Sequence, residues 1–352
     1  RGTKQMSNLL DSSFEELRQL ACEQGWKPFR AQQIHKWIWQ KGVTDFSRMS
    51  DLNKEIRSRL QERFRLEPPS VHTVRRSSDG TIKFLLSVEH GDLIETVLIP
   101  EEDHYTQCLS SQVGCALGCT FCSTGRMGFS RNLTSGEILG QILVARDYLA
   151  QNEEPLPLRN LVFMGMGEPL LNWPQVDKAL RIIRDDEGLG FSYRRTTVST
   201  VGIPEPMRRF AESGLGSLAV SLHAPNQELR EELMPKAASI VPLDELVRIL
   251  EDLPLKPRQR ITLEYALIGG VNDGLKHARQ LNKIISSLRC KVNLIAFNPD
   301  QDIPYQAPSR DRVLEFEEFL RSKDKAVFLR KSKGLDIDAA CGQLRNKETA
   351  CS

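Results

Sequence analysis

The chain has no apolar run long enough to cross a membrane, which speaks against a helical span. Its first residues, Arg1 to Asn8, are polar and lack the apolar stretch of a secretory leader, so the expected setting is the cytoplasm. Net charge is nearly absent: 48 Lys and Arg stand against 46 Asp and Glu, leaving +2. A chain so balanced has no global field for a polyanion, and any nucleic-acid surface must be a local patch. No repeat of solenoid period and no low-complexity tract occurs. Eight cysteines in a long chain without a leader point away from a disulfide framework and toward a reducing compartment. There is no second C-x-x-C and no H-x-x-x-H, so the paired ligands of a zinc site are missing. What remains is an ordinary apolar content of 40% in 352 residues, enough for one large domain and a smaller one.

Against this plain background stands Cys115-Ala-Leu-Gly-Cys119-Thr-Phe-Cys122, a C-x-x-x-C-x-x-C spacing. Three thiolates on a short loop can hold three irons of a four-iron cluster and leave the fourth open to a substrate or cofactor. Gly114 and Gly118 let the loop wrap a bulky group. The bland alternative is three buried small hydrophobes or half of a zinc site.

The order of elements predicts an α/β fold. Phe14 to about Phe64 carries apolar residues at helical spacing and ends at Pro68-Pro69, predicting a small helical domain over 1–70. Lys27, Arg30, Lys36 and Lys41 give that domain a basic tint that solvated helix faces would explain equally. Thr81–Val88 and Leu93–Ile99 predict two strands around Gly91-Asp92, a hairpin linking the domains over 71–104. From Thr106 onward β-like runs alternate with helical ones: Thr106–Gln112, Leu161–Met164, Thr196–Ser199, Ser217–Leu222, Arg260–Ala266, Val292–Ala296 and Ala326–Leu329. Six β/α units predict a partial (β/α)6 barrel over 105–330, followed by a C-terminal segment over 331–352. Chemistry in such barrels sits at the carboxyl ends of the strands.

Those ends are polar. Gly165-Met-Gly167-Glu168 follows the second strand and offers a close backbone approach with a carboxylate for an ammonium. Ser199 ends the third strand, Ser221-Leu222-His223 the fourth and Asn298 the sixth. Each could be a strand-end cap, and His223 a satisfied structural histidine; three in succession at one barrel end favour a ligand. Cys108 lies on the first strand, seven residues before the cysteine loop, and Cys341 sits far along the chain in Ala-Ala-Cys341-Gly-Gln-Leu. Cys22, Cys290 and Cys351 read as lone buried cysteines.

Taken together, Cys115/Cys119/Cys122, Phe163-Met-Gly-Met-Gly-Glu168-Pro, Ser221-Leu-His223-Ala-Pro and Ala-Ala-Cys341-Gly-Gln-Leu resemble the RlmN/Cfr family of radical S-adenosylmethionine (SAM) RNA methyltransferases over nearly the whole chain. The resemblance implies a [4Fe-4S] cluster on the three cysteines and SAM on Gly167, Glu168, Ser199, Ser221, Leu222, His223 and Asn298. It implies that one SAM methylates Cys341 and a second yields the radical that activates the S-methyl group. Glu95 then takes a ring proton from the adenine, and Cys108 releases the product through a transient disulfide with Cys341. A detour through sulfur makes chemical sense, because an adenine ring carbon is not nucleophilic and a thiolate is. The implied substrates are 23S ribosomal RNA and possibly tRNA beside the anticodon, with the N-terminal helical domain as RNA-binding accessory. The implied electron donor is a flavodoxin or ferredoxin. Gly128-Phe-Ser-Arg-Asn-Leu133 and Phe297-Asn-Pro299 look more like the branch that methylates C2 than the branch that methylates C8. A cluster-bearing RNA-binding assembly factor is the rival from another class. Arg75-Arg76, Arg194-Arg195, Arg208-Arg209, Arg258 with Arg260, and Arg330-Lys331-Ser-Lys333 are candidate phosphate contacts or plain surface charge, with Arg194-Arg195 and Lys331 to Lys333 expected nearest the site.

Overall fold

The computed structural model describes residues 6–345, so Cys351 and the end of the expected C-terminal segment lie outside the described residues. Helices α1 (Phe14–Glu23), α2 (Phe29–Trp39) and α3 (Lys54–Arg63) form where the apolar spacing predicts helix. Ser13 caps α1 reciprocally. Its hydroxyl accepts from the Glu16 N–H at 3.1 Å, and the Glu16 carboxylate accepts from the Ser13 N–H at 2.6 Å. Leu17, Ile34, Ile38, Trp39, Ile56 and Leu60 turn inward and close the core of this layer.

A ten-stranded sheet follows in unbroken chain order: β1 (Ser70–Arg76), β2 (Ile82–Ser87), β3 (Leu93–Pro100), β4 (Tyr105–Cys108), β5 (Leu158–Phe163), β6 (Thr196–Thr200), β7 (Ser217–Ser221), β8 (Ile261–Leu267), β9 (Cys290–Ala296) and β10 (Val327–Arg330). Strands β4 to β10 are parallel, each joined to the next by a helical crossover, which is the connectivity of a partial barrel. β1 to β4 run antiparallel. The two expected hairpin strands are therefore continuous with the barrel sheet. A third strand, β1, joins them unforeseen. It is a sheet edge, largely exposed and rich in charge, so it carries no alternating apolar signal. Buried on both faces, β8 reads as the opposite case, with all seven residues inside.

The predicted run Thr106–Gln112 breaks after Cys108. Gln112–Gly114 pairs instead with Phe129–Asn132 in a separate two-stranded ribbon that brackets the cysteine loop. Helix Ser135–Gln151, opened by the reciprocal cap of Thr134 and Glu137, is buried without a break from Ser135 to Ala145. Its buried polar side chains are all hydrogen-bonded: Ser135 to the Asp11 carbonyl, Glu137 to the Thr134 N–H and Gln141 to the Ser110 N–H. Here it lies against Leu9–Asp11, and the Gly136 N–H donates to Asp11 at 2.8 Å.

Candidate active site

The cysteine loop leaves β4, passes through the ribbon and ends in the short helix Ser123–Arg126. Cys115, Cys119 and Cys122 line one cavity of about 180 Å³ together with Phe121, Gly167, Glu168, Ser199, Ser221, His223, Asn298 and Cys341. Burial raises all three thiols, Cys115 to about 11, and a charge on Cys115 or Cys122 pushes Cys119 up further. Bound iron would supply the positive charge that reverses this preference. Three cysteine thiols lining one cavity are a donor set that fits three irons of a four-iron cluster.

Glu168 stands opposite. Its carboxylate accepts from the Leu170 N–H at 3.0 Å and the Val201 N–H at 3.0 Å, and its own N–H donates to Gln112 at 2.8 Å. Burial still raises its pKa to about 7, so a bound ammonium would restore its charge. Gly167 turns the chain into this position at φ +98, and a Cβ there would meet the Gln112 Cβ at 2.5 Å. The hydroxyls of Ser199 and Ser221 lie 3.5 Å apart. His223 has φ +51, and its Nδ1 accepts from the Ala266 N–H at 3.0 Å, which leaves the ring proton on Nε2. Burial, then the Arg230 charge, hold its pKa down at about 3, so the ring is neutral. Its ring meets Phe121 edge to face at 5.0 Å.

A second cavity, of about 660 Å³, is lined by Cys108, Met164, Glu264, Asn298, Arg330, Lys331, Lys333 and Cys341. Met164, Glu264, Ile295, Asn298 and Cys341 border both cavities. Cys341 is held there by its own segment. The Ser123 N–H donates to the Gly342 carbonyl at 2.8 Å, Gln343 donates to the Pro299 carbonyl at 3.1 Å, and Arg345 pairs with Asp300 at 3.2 Å. Cys341 is exposed at the cavity wall, yet the protein around it, then Glu264, raise its thiol. A charge on Cys341 likewise pushes the buried Cys108 thiol higher. Both are free thiols, so the structure gives no support to a disulfide between them.

Two expected residues stand apart. Glu95 lines neither cavity: it is buried, paired with Lys83 at 3.0 Å, and accepts from the Arg345 N–H at 2.8 Å. Leu222 is buried, and only its backbone serves the site: its N–H donates to the Glu264 carbonyl at 3.0 Å. Of the basic runs, Arg330-Lys331-Ser-Lys333 borders the second cavity. Arg194-Arg195 precedes β6, at the opposite end of the strands from the site, contrary to expectation. Sequence reasoning missed Glu264 and Arg230. Arg230 is fully buried and donates to the carbonyls of Val201 at 2.9 Å and Leu222 at 3.2 Å, fixing the ends of β6 and β7. The only sequence signal for either was a charged residue in a strand or helix that needs to be buried.

Comparison with known proteins bears on this geometry. Residues 7–66 match the family described as the ribosomal RNA large subunit methyltransferase N-terminal domain, and residues 109–281 match the radical SAM superfamily. The chain is 53% identical to the dual-specificity RNA methyltransferase RlmN of Nitratidesulfovibrio vulgaris (strain DSM 19637 / Miyazaki F), over 98% of this chain and 96% of that protein. It is 54% identical to the protein of the same name from Oleidesulfovibrio alaskensis, over 98% of this chain and 97% of the other. A crystal structure of a radical SAM methyltransferase from Sphaerobacter thermophilus superposes with a TM-score of 0.90 at 40% identity, covering 96% of this chain and 99% of that one.

Proposed function

The chain belongs to the RlmN family of radical SAM RNA methyltransferases, and on that premise we propose that it methylates carbon 2 of an adenine in 23S ribosomal RNA and in tRNA beside the anticodon. The dual-specificity name of its relatives supports two classes of RNA. Likeness of Gly128–Leu133 and Phe297–Pro299 to the C2 branch supports the position. One observation carries the reading: Cys341 stands on the wall shared by the three-thiol cavity and the cavity with the cationic border. A sulfur so placed faces a methyl donor on one side and a polyanion's base on the other.

When bound, a four-iron cluster on Cys115, Cys119 and Cys122, with SAM beside it, supplies the electron, the methyl group and the hydrogen-abstracting radical. Glu168 receives the ammonium of SAM, and its two backbone donors fix the carboxylate's direction. The Ser199 and Ser221 hydroxyls, the Nε2–H of His223 and Asn298 complete the polar lining around the rest of that molecule. Cys341 holds the carbon in transit. Glu95 accepts the ring proton, and Cys108, the second thiol at the base-side cavity, serves product release. The target adenine reaches the sulfur at the cavity wall by leaving its stack. Residues 1–70 act as the RNA-binding accessory domain. A flavodoxin or ferredoxin in a reducing cytoplasm would deliver the electron.

Anaerobic turnover of the iron-loaded protein with SAM, reductant and unmodified ribosomal RNA tests the proposal, with the nucleoside identified by mass spectrometry. 2-Methyladenosine is the expected product. 8-Methyladenosine would move the chain to the other chemical outcome. RNA binding without any methylated adenosine, on rRNA or tRNA, would favour an assembly factor.

A further inference from the structure

We propose that Lys83 is a positioning residue for the Glu95 base, holding the carboxylate ionised and tying it to the segment that carries Cys341. The proposal rests on the reading of Glu95 as proton acceptor. Lys83 projects from β2 and Glu95 from the adjacent β3, and their side chains are only 7% and 6% exposed. Lysine and glutamate are seldom buried so far without a partner. Here the ammonium lies 3.0 Å from Oε1 of Glu95. The same ammonium donates to the Asp338 carbonyl at 3.1 Å, and Oε2 of Glu95 accepts from the Arg345 N–H at 2.8 Å. Asp338 precedes Cys341 and Arg345 follows it, so one buried ion pair grips the strap on both sides of the sulfur. The carboxylate's own chain is fixed as well, since Ser110 donates to the Glu95 carbonyl at 2.6 Å.

The charged side chains acting on Glu95 are Lys83 from β2 and Asp338 from the C-terminal segment, which also supplies the Arg345 backbone N–H. Burial is the largest influence and raises the carboxyl; Asp338 adds to it, while Lys83 and the Arg345 N–H oppose it. Without the ammonium a carboxyl so buried would keep its proton and have none to take. With it, the step balances on this chain's own groups. The ring C–H bond breaks, its electron pair stays with the base, and the proton forms an O–H bond on Glu95 beside an unchanged ammonium. The Arg345 N–H is the contact that yields, because Lys83 must stay for the carboxylate to begin charged.

The test is the pH dependence of single-turnover RNA methylation by iron-loaded wild type, Lys83→Met, Lys83→Arg and Glu95→Gln, with iron content and SAM binding measured on each. Lys83→Met should move the acid limb of the profile upward by about one to three pH units, so its deficit at pH 7 shrinks as pH rises. Lys83→Arg should keep the limb near wild type, and Glu95→Gln should abolish turnover. Should Lys83→Met fail to fold, Lys83→Gln, which keeps a donor without the charge, should show the same upward shift. If Glu95→Gln turns over like wild type, the base reading fails and the proposal falls with it. If Glu95→Gln is inactive while Lys83→Met or Lys83→Gln keeps the wild-type limb, the proposal alone is overturned.

Discussion

Cys341 has two charged neighbours that bear on its sulfur. Glu264 raises the thiol and Arg330 lowers it. The side chain proposed for carbon transfer is nonetheless small, so its removal should leave the neighbouring cavity intact. Cys341→Ala should keep the iron cluster and SAM binding and give no RNA methylation, checked by iron analysis and incorporation of labelled methyl. Full activity would sink the sulfur route. Cys108→Ala should leave protein covalently joined to RNA after turnover, visible as a retarded band in a denaturing gel. His223 gives a pH prediction. Its folded pKa, about 3, lies below the ordinary 6.5, so the unfolded chain binds its proton first as pH falls. The stability tied to the neutral ring is therefore complete above about 6.5 and is lost progressively as pH falls from there toward 3. That amounts to roughly 2 kcal/mol by pH 5. His223→Asn keeps an acceptor for the Ala266 N–H and tolerates the positive φ. Its denaturation midpoint should fall less between pH 7 and pH 5 than that of wild type.

Helix Ser135–Gln151 shows how an element fixes the relation of two layers. It is buried from Ser135 to Ala145, Glu137 and Gln141 included, and the sequence alone does not say what covers it. The cover proves to be Leu9–Asp11 and Pro68-Pro69. A Cβ on Gly140 would come within 2.3 Å of the Pro69 Cδ. Gly140→Ala sets two effects against each other: about 1 kcal/mol of helix propensity gained, and about 1–3 kcal/mol of overpacking lost. A proline ring cannot rotate away, so overpacking should win and the urea midpoint should fall. A rise would mean that the layers part easily. The parallel strands were legible as short β-branched and apolar runs bounded by Gly, Pro or polar residues, as in Ser217–Ser221 and Cys290–Ala296. Edge strand β1 was not, because five of its seven residues face water.

At the scale of the whole molecule, the charge balance removes long-range attraction as a way to find RNA. On the proposed function, the local patch is Arg330, Lys331 and Lys333 around the second cavity. Lys331→Ala with Lys333→Ala should weaken RNA binding and reduce the slope of log affinity against log salt by about 1.4 to 1.8, the value for two lost phosphate contacts. SAM binding should not change. An unchanged slope would place the RNA elsewhere. The helical layer and the barrel meet through groups far apart in the chain: His35 with Asp185 at 3.0 Å, Lys178 with Glu16 at 2.9 Å, and Lys36 with Glu187 at 2.9 Å.

The sequence by itself determined the cysteine loop, the polar strand ends and the order of elements, because ligand spacing and hydrophobic periodicity are local properties of a chain. Cys115, Cys119 and Cys122 lie within eight residues, and Glu168, Ser199, Ser221 and Asn298 each lie at or just past the end of a strand that announces itself. Only the tertiary structure decided that Cys341 stands between two cavities, that Arg230 supports the ends of β6 and β7 from beneath, and that Lys83 meets Glu95. Each of these depends on which distant residue is buried against which, and a charge that needs a partner carries no mark in the sequence of where that partner will be.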